Sequence, residues 1–198
     1  MYADRLKKQL AAELPGKVVY FKDWKKKRRV SWKGAKSRPA GLMLHHTASA
    51  ATESTDPKAK GNQKGANNGV INYIQSHYEV PAANFTLDRD GTVYVHSAYA
   101  VWHAGKGSFR GKEPWDSLGI PDDQGNDYLL GVEVVSKGRK KDFTKAQKDS
   151  LGALIQACAA ASDTWMPLWL KGRPRHKDWT TRKIDILYTN DEVKAWIK

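Results

Sequence analysis

The sequence predicts a single α/β domain with a central mixed β-sheet flanked by helices. Three observations carry that prediction. Apolar stretches of strand length alternate with segments of helical period, an Asp-Gly turn joins two of the strands, and capping-box patterns open two C-terminal helices. A length of 198 residues suffices for one well-buried core and is short for two. A hydrophobic share of 40% beside 28% charged residues is the balance of a globular chain rather than a disordered one.

Leu6, Leu10 and Leu14 recur every four residues, so residues 2–14 read as an amphipathic helix stopped by Pro15-Gly16. Residues 1–16 are expected to form a helical extension to a main domain spanning 17–198. Lys17 to Phe21 and Gly41 to His46 read as strands, the second apolar enough to be central in a sheet. Residues 48–68 are polar and without periodicity, hence a loop. The helix from Gly69 to His77 is expected to turn Val70, Ile71, Tyr73 and Ile74 inward. Asn84 to Leu87 and Thr92 to His96 flank Asp88-Arg89-Asp90-Gly91, a hairpin signal because Asp-Gly tolerates the positive φ of the turn. A long glycine-rich loop runs from 104 to 127, of a length that is usually functional or disordered. Leu129 to Val135 is a further apolar strand. Thr144-x-x-Gln147 opens a helix to about Ala161, and Thr189-x-x-Glu192 opens a last short one.

The net charge of +13 is unevenly placed: residues 1–40 carry thirteen Lys and Arg against three acidic residues. A block such as Lys25-Lys26-Lys27-Arg28-Arg29 attracts polyanions over about 8–10 Å at physiological salt. Nucleic acid, an anionic membrane surface and an anionic cell wall would each satisfy that field, and so would a plain solvated face. The single cysteine, Cys158, excludes an intramolecular disulfide and reads as packing on the apolar face of its helix. The first ten residues hold no apolar core of signal-peptide length, so synthesis in a cytoplasm is expected.

Three features stand apart from this scaffold. Leu42-Met43-Leu44-His45-His46-Thr47 ends an apolar strand in two histidines, which must face opposite sides of the sheet. Residues 176–185 gather His176, Asp178, Asp185, Arg182 and Lys183 within ten positions. Zinc accepts imidazole nitrogen and carboxylate oxygen, and a catalytic zinc keeps three protein ligands and an open fourth position. His45, His176 and one aspartate would make such a set; a basic loop with paired aspartates is the plainer reading. Gly131-Val132-Glu133-Val134-Val135 places a carboxylate inside a strand. Glu133 is costly to bury unless paired or functional, although strand alternation also permits it to face solvent.

In this order, these blocks resemble the type-2 N-acetylmuramoyl-L-alanine amidases, a family that includes peptidoglycan recognition proteins and many phage endolysins. The resemblance is carried by Leu44-His45-His46-Thr47-Ala48, by Asn84-Phe85-x-x-Asp88-Arg89-Asp90-Gly91-Thr92-Val93-Tyr94, by Trp102-His103-Ala104-Gly105, by Gly131-Val132-Glu133 and by His176 through Asp185. It implies a peptidoglycan-recognition-protein-like fold, with residues 17–198 as the catalytic domain. It makes His45, His176 and Asp185 the ligands of a Zn2+ ion, with Asp178 the alternative third ligand or an outer orienting group. Glu133 becomes the general base and Lys183 the transition-state cation. Asn84, Trp102 and His103 are placed in the substrate cleft.

The implied reaction is hydrolysis of the lactyl-amide bond between N-acetylmuramic acid and L-alanine, in a phage endolysin or its catalytic domain. Such an enzyme is expected as a monomer, made without an export signal and acting on the wall after release. Peptidoglycan is the expected partner, with anionic wall polymers attracted by residues 17–38. Loops 48–68 and 104–127 are expected to form the groove, where Phe109 and Trp115 either stack on sugars or anchor the loop to the core. A non-catalytic peptidoglycan receptor of the same fold would lack a ligand or the base, yet every needed side chain is present. A basic nucleic-acid-binding protein would bind in a steeply salt-dependent way, but explains neither the histidines nor Glu133.

Overall fold

The computed structural model describes residues 1–32, 38–48, 52–162 and 174–197. Five strands form one mixed sheet: β1 Val18–Tyr20, β2 Gly41–His46, β3 Phe85–Leu87, β4 Val93–Val95 and β5 Leu129–Val134, in the order β1-β4-β3-β5-β2. Only the hairpin pair β3–β4 is antiparallel; β1–β4, β3–β5 and β5–β2 are parallel. The helices are α1 Tyr2–Glu13, α2 Asn68–Ser76, α3 Gly125–Tyr128, α4 Lys145–Ala161, α5 His176–Trp179 and α6 Asn190–Lys194.

Alternation along the strands sorts the side chains into two faces. Leu42 and Leu44, Phe85 and Leu87, Val93 and Val95, and Leu130, Val132 and Val134 join the core beneath α1 and α4. Leu6 and Leu10 are fully buried in that same core, so α1 packs as an integral layer over α4. Met43 and Leu129 point the other way, into a smaller cluster with Phe109, Trp115 and Trp179. Phe109 and Trp115 are 1% and 4% exposed, so of their two expected roles they take that of anchoring the long loop.

Strand β2 departs from its expected central place. It ends the sheet, and its apolar sequence has another cause: both faces are covered, and its free edge is capped by residues 174–175. Leu44 N–H donates to the Pro174 carbonyl at 2.8 Å and Leu44 bridges in parallel to Arg175. That cap delivers the next residue, His176, to the end of β2.

Local chemistry closes the elements as the sequence suggests. Thr144 Oγ1 accepts from Gln147 N–H and Thr144 N–H donates to Gln147 Oε1, both at 3.0 Å, and Thr189 with Glu192 repeats the motif. Gly91 takes φ +87° in the hairpin, and a Cβ there would lie 2.9 Å from the Ala146 carbonyl oxygen. Arg89 beside it is 1% exposed and donates to Asn62 Oδ1, to the carbonyls of Ser54, Val135 and Asp142, and to Asp142 Oδ2. A turn residue by pattern, it ties the 52–62 loop to the end of β5. No helix among the described residues is long and apolar enough to cross a membrane.

If α1 is integral, truncating its buried face should cost as much as a core lesion. Leu10→Ala is expected to lower unfolding free energy by about 2–5 kcal/mol in urea titration. A loss below about 1 kcal/mol would make α1 a dispensable appendage.

Candidate active site

The site lies on the sheet face opposite α4, where parallel registers set three polar side chains in a row. His45 on β2 is level with Glu133 on β5, which is level with Thr86 on β3. Neighbouring strands stand about 4.8 Å apart, so a ligand between β2 and β5 is within reach of both His45 and Glu133.

His45 is 1%, His176 5% and Asp185 7% exposed. Their ligand atoms converge: His45 Nδ1 lies 2.9 Å from His176 Nδ1 and 3.6 Å from Asp185 Oδ2, and His176 Nδ1 lies 3.3 Å from the same oxygen. Ligands about 2.0–2.1 Å from a tetrahedral ion stand about 3.3 Å apart, so the donor set fits a small tetrahedral metal ion. Burial pushes the His45 imidazole down to about 4, against the pull of Asp185, which keeps it neutral and able to donate an electron pair near pH 7.

Asp178 does not join this cluster. Arg175 grips it through Nε and Nη2 at 2.9 and 2.6 Å, and Arg175 N–H donates to it at 2.9 Å. The aspartate thereby fixes the first turn of α5, on which His176 rides.

Glu133 faces the cluster rather than solvent. Its Oε2 is buried and has no hydrogen-bond partner among the described residues. Burial, reinforced by Asp185 and opposed by Lys183, raises its carboxyl to about 8. The open side is a cleft of about 890 Å³ lined by His46, Thr47, Ala48, Val70, Tyr73, Ile74, Ala82, His103, Glu133, His176 and residues 182–185. The walls are therefore α2 and the 182–185 segment; of the two long loops, 48–68 and 104–127, only Ala48 contributes among the described residues. Tyr73, expected inward, is 55% exposed on the cleft wall, whereas Ile71 and Ile74 are buried as expected and Val70 is half-buried. Lys183 is exposed at the mouth.

The three residues expected at substrate divide. Asn84 is fully buried and spent on the scaffold: its amide donates to the Ser97 and Tyr99 carbonyls, and its oxygen accepts from Gly131 N–H. It cannot touch a ligand. Trp102 is 44% exposed beneath the Arg29 guanidinium, 4.5 Å from ring to cation, and lines a second cleft of about 780 Å³ with Tyr78, Lys106 and Asn126. His103 borders both clefts, but its ring nitrogens bond His45 Nε2 at 3.2 Å and the Leu129 carbonyl at 2.8 Å. Burial holds its imidazole well below the ordinary range, hence neutral. Asn126, which no motif singles out, accepts from the main-chain N–H groups of both His103 and Ala104 at 2.8 and 2.7 Å.

Residues 35–186 match the family described as N-acetylmuramoyl-L-alanine amidase. The chain belongs to that family. The residues that converge here lie within the matched span, and the fold is shared widely. An AmpD crystal structure superposes with TM-score 0.56 at 19% identity, covering 91% of this chain and 99% of that one. LysCS, an endolysin N-acetylmuramoyl-L-alanine amidase from Clostridium intestinale, gives 0.54 at 17% identity over 92% and 97%. The recognition protein PGRP-SA of Apis mellifera gives 0.61 at 12% identity over 90% and 95%. At such identities these likenesses establish the fold alone. No curated protein sequence matches closely enough to add to them. Amidases and recognition proteins thus share the architecture, and the side chains of the family site must separate them.

The site's burial has a measurable consequence in the metal-free chain. Folded Glu133 keeps its proton to about 8, whereas an unfolded glutamate releases it near 4.5, so its contribution to stability falls as pH rises through that window. His45 contributes the opposite slope, losing stability as pH falls from 6.5 toward about 4. Glu133→Gln removes only the first slope. In chelator-treated protein its stability relative to wild type is expected to increase from pH 5 to pH 8 in thermal unfolding; a pH-independent difference would show that Glu133 is not buried as described.

Proposed function

We propose that this chain is a zinc-dependent N-acetylmuramoyl-L-alanine amidase that hydrolyses the amide between the lactyl group of N-acetylmuramic acid and L-alanine. The observation that carries the reading is Glu133: a carboxylate with an unpartnered buried oxygen, level with a metal-ligand histidine, opening on a cleft. A receptor has no use for such a group, and burying it is costly.

His45, His176 and Asp185 would hold Zn2+, the ion favoured by a two-imidazole, one-carboxylate set. Zinc, when bound, supplies Lewis acidity that brings water deprotonation toward neutral pH and polarises an amide carbonyl. Glu133, protonated near neutral pH in the metal-free chain and ionised once a cation at the neighbouring ligand cluster offsets its burial, would take a proton from the attacking water and return it to the leaving L-alanine nitrogen. One acid near neutrality can serve both steps. Lys183, at the cleft mouth, faces the negative charge that develops on the carbonyl oxygen. Tyr73 and Trp102 offer exposed rings on the two clefts that meet at His103, which suits an elongated glycan–peptide.

The basic N-terminal segment would strengthen attraction to an anionic wall, through fewer cations than its charge suggests. Lys25 pairs with Asp4, Lys26 with Asp23 and Arg29 with Asp127. Among residues 25–29, Arg28 is an exposed cation whose one side-chain contact among the described residues is with the Tyr99 ring. An endolysin role, with release to the wall after cytoplasmic synthesis, accords with this chemistry.

Mass spectrometry of digested peptidoglycan should find free lactyl-muramic ends matched by new L-alanine amino termini; glycan or peptide–peptide cleavage instead would refute the reading. Glu133→Gln should lose about 10²–10⁴-fold in rate and Lys183→Ala about 10²–10³-fold, with zinc content unchanged. Chelation should abolish hydrolysis and zinc restore it. Arg28→Gln with Lys27→Gln should weaken binding to isolated walls at low salt and leave it unchanged at high salt.

A further inference from the structure

Both ligand histidines present Nδ1 to the metal position, and what holds them that way is a single dipeptide in the loop before α3. A carbonyl oxygen only accepts hydrogen bonds. His176 Nε2 lies 3.0 Å from the Ala104 carbonyl, so Nε2 carries the proton and a neutral His176 has a bare Nδ1. His103 Nε2 lies 2.8 Å from the Leu129 carbonyl, so His103 carries its proton there and its Nδ1 can only accept. His45 Nε2, 3.2 Å from that Nδ1, must then be the donor, which leaves His45 Nδ1 bare as well.

We infer that His103 and Ala104 together fix both ligand imidazoles in the tautomer that leaves Nδ1 free for the metal. His103 is thus a positioning residue acting through His45. This inference rests on the proposed metal site. With both imidazoles neutral, two bare nitrogens 2.9 Å apart, beside a carboxylate oxygen at 3.3 and 3.6 Å, have no proton to share among them. Three electron-pair donors repel at that range unless a cation lies between them. The relay converts hydrogen bonds at the far ring nitrogens of both ligands into a preference for a metal ion at the near ones.

The dipeptide is itself braced. Asn126 Oδ1 accepts from both of its main-chain N–H groups. The His103 side chain packs against Gly131, where a Cβ would stand 2.5 Å from its ring Cγ and 2.8 Å from Nδ1. The Gly of Gly-x-Glu is thereby explained: two residues before the base, the strand must be bare to seat the imidazole that orients the first ligand. Metal-bound histidines are commonly held by a carbonyl or carboxylate, and loss of such a partner typically costs about 10–100-fold in metal affinity. Here one of those partners is a third histidine.

The experiment uses the full chain. In chelator-treated protein labelled with ¹⁵N-histidine, long-range ¹H–¹⁵N spectra should show His45, His103 and His176 all protonated at Nε2. His45 or His176 protonated at Nδ1 would overturn the relay. Zinc affinity is then measured by competition with a chromophoric chelator, with no substrate present. His103→Phe keeps the ring volume but no acceptor, and should lose about 10–100-fold. His103→Gln restores an adjacent acceptor and donor and should recover most of that loss. Gly131→Ala, which alters no polar group, should weaken zinc as His103→Phe does, by displacing the ring. Wild-type affinity in His103→Phe would overturn the proposal; should that variant not fold, the wild-type spectra and the Gln variant decide alone. Failure to cut peptidoglycan would sink the amidase reading and leave these results standing.

Discussion

The parallel pairing of β2 with β5 governs this site. It places His45 level with Glu133, so a proposed metal ligand and the proposed base share one face of the sheet without either depending on a loop. The register is enforced from the opposite face, where Leu42 and Leu44 interlock with Leu130, Val132 and Val134 beneath the helices. A one-residue slip of β2 would turn Leu42 and Leu44 out of the core, and the same slip would separate histidine from glutamate. Packing and chemistry are therefore specified by one geometric choice. The edge cap at Leu44 then adds His176, and the rest of the site assembles on that frame.

Much of this was legible in the sequence because it is local. Strand alternation, the Asp-Gly turn and the two Thr-led capping boxes depend on neighbours a few residues away, and the structure places each where the pattern predicts. The proposed ligand residues were named through resemblance, and the structure brings ligand atoms of His45, His176 and Asp185 within 4.8 Å of one another, a group that could hold a metal ion. What the sequence hid was pairing at long range. The apolar run of β2 reads as a central strand, since nothing local reveals that residues 174–175 will cover its edge. Asn84 reads as a polar residue near a motif, although every bond it makes is to backbone distant in sequence. Tyr73 fits the inward helical period and yet faces the cleft, because α2 buries only the narrow stripe of Ile71 and Ile74.

Charge shows the same contrast between composition and arrangement. The basic segment reads as a uniform cationic surface, yet three of its cations are paired, with Asp4, Asp23 and Asp127, and the side chain of Asp127 is only 5% exposed. Arg89, in a turn by pattern, is among the most thoroughly buried side chains, its guanidinium acting as a hub for carbonyls of three segments. Cations in this chain serve as internal struts as much as surface charge. Such struts are stable only while their acceptors stay in place, which couples distant backbone segments to each other.

Trp179 extends that coupling to the metal position. Its indole, fully buried at the end of the short helix that bears His176, is pressed by Gly107 and Gly125 and donates to the Gly105 carbonyl. The glycine-rich stretch preceding β5 is thus moulded around a ring three residues from a ligand. Whatever favours the ligand's native position also favours order in that stretch, by the reciprocity of linked equilibria. An ion gripped at His176 would tighten a segment it never touches, and depletion of the ion would be felt first as slackness there.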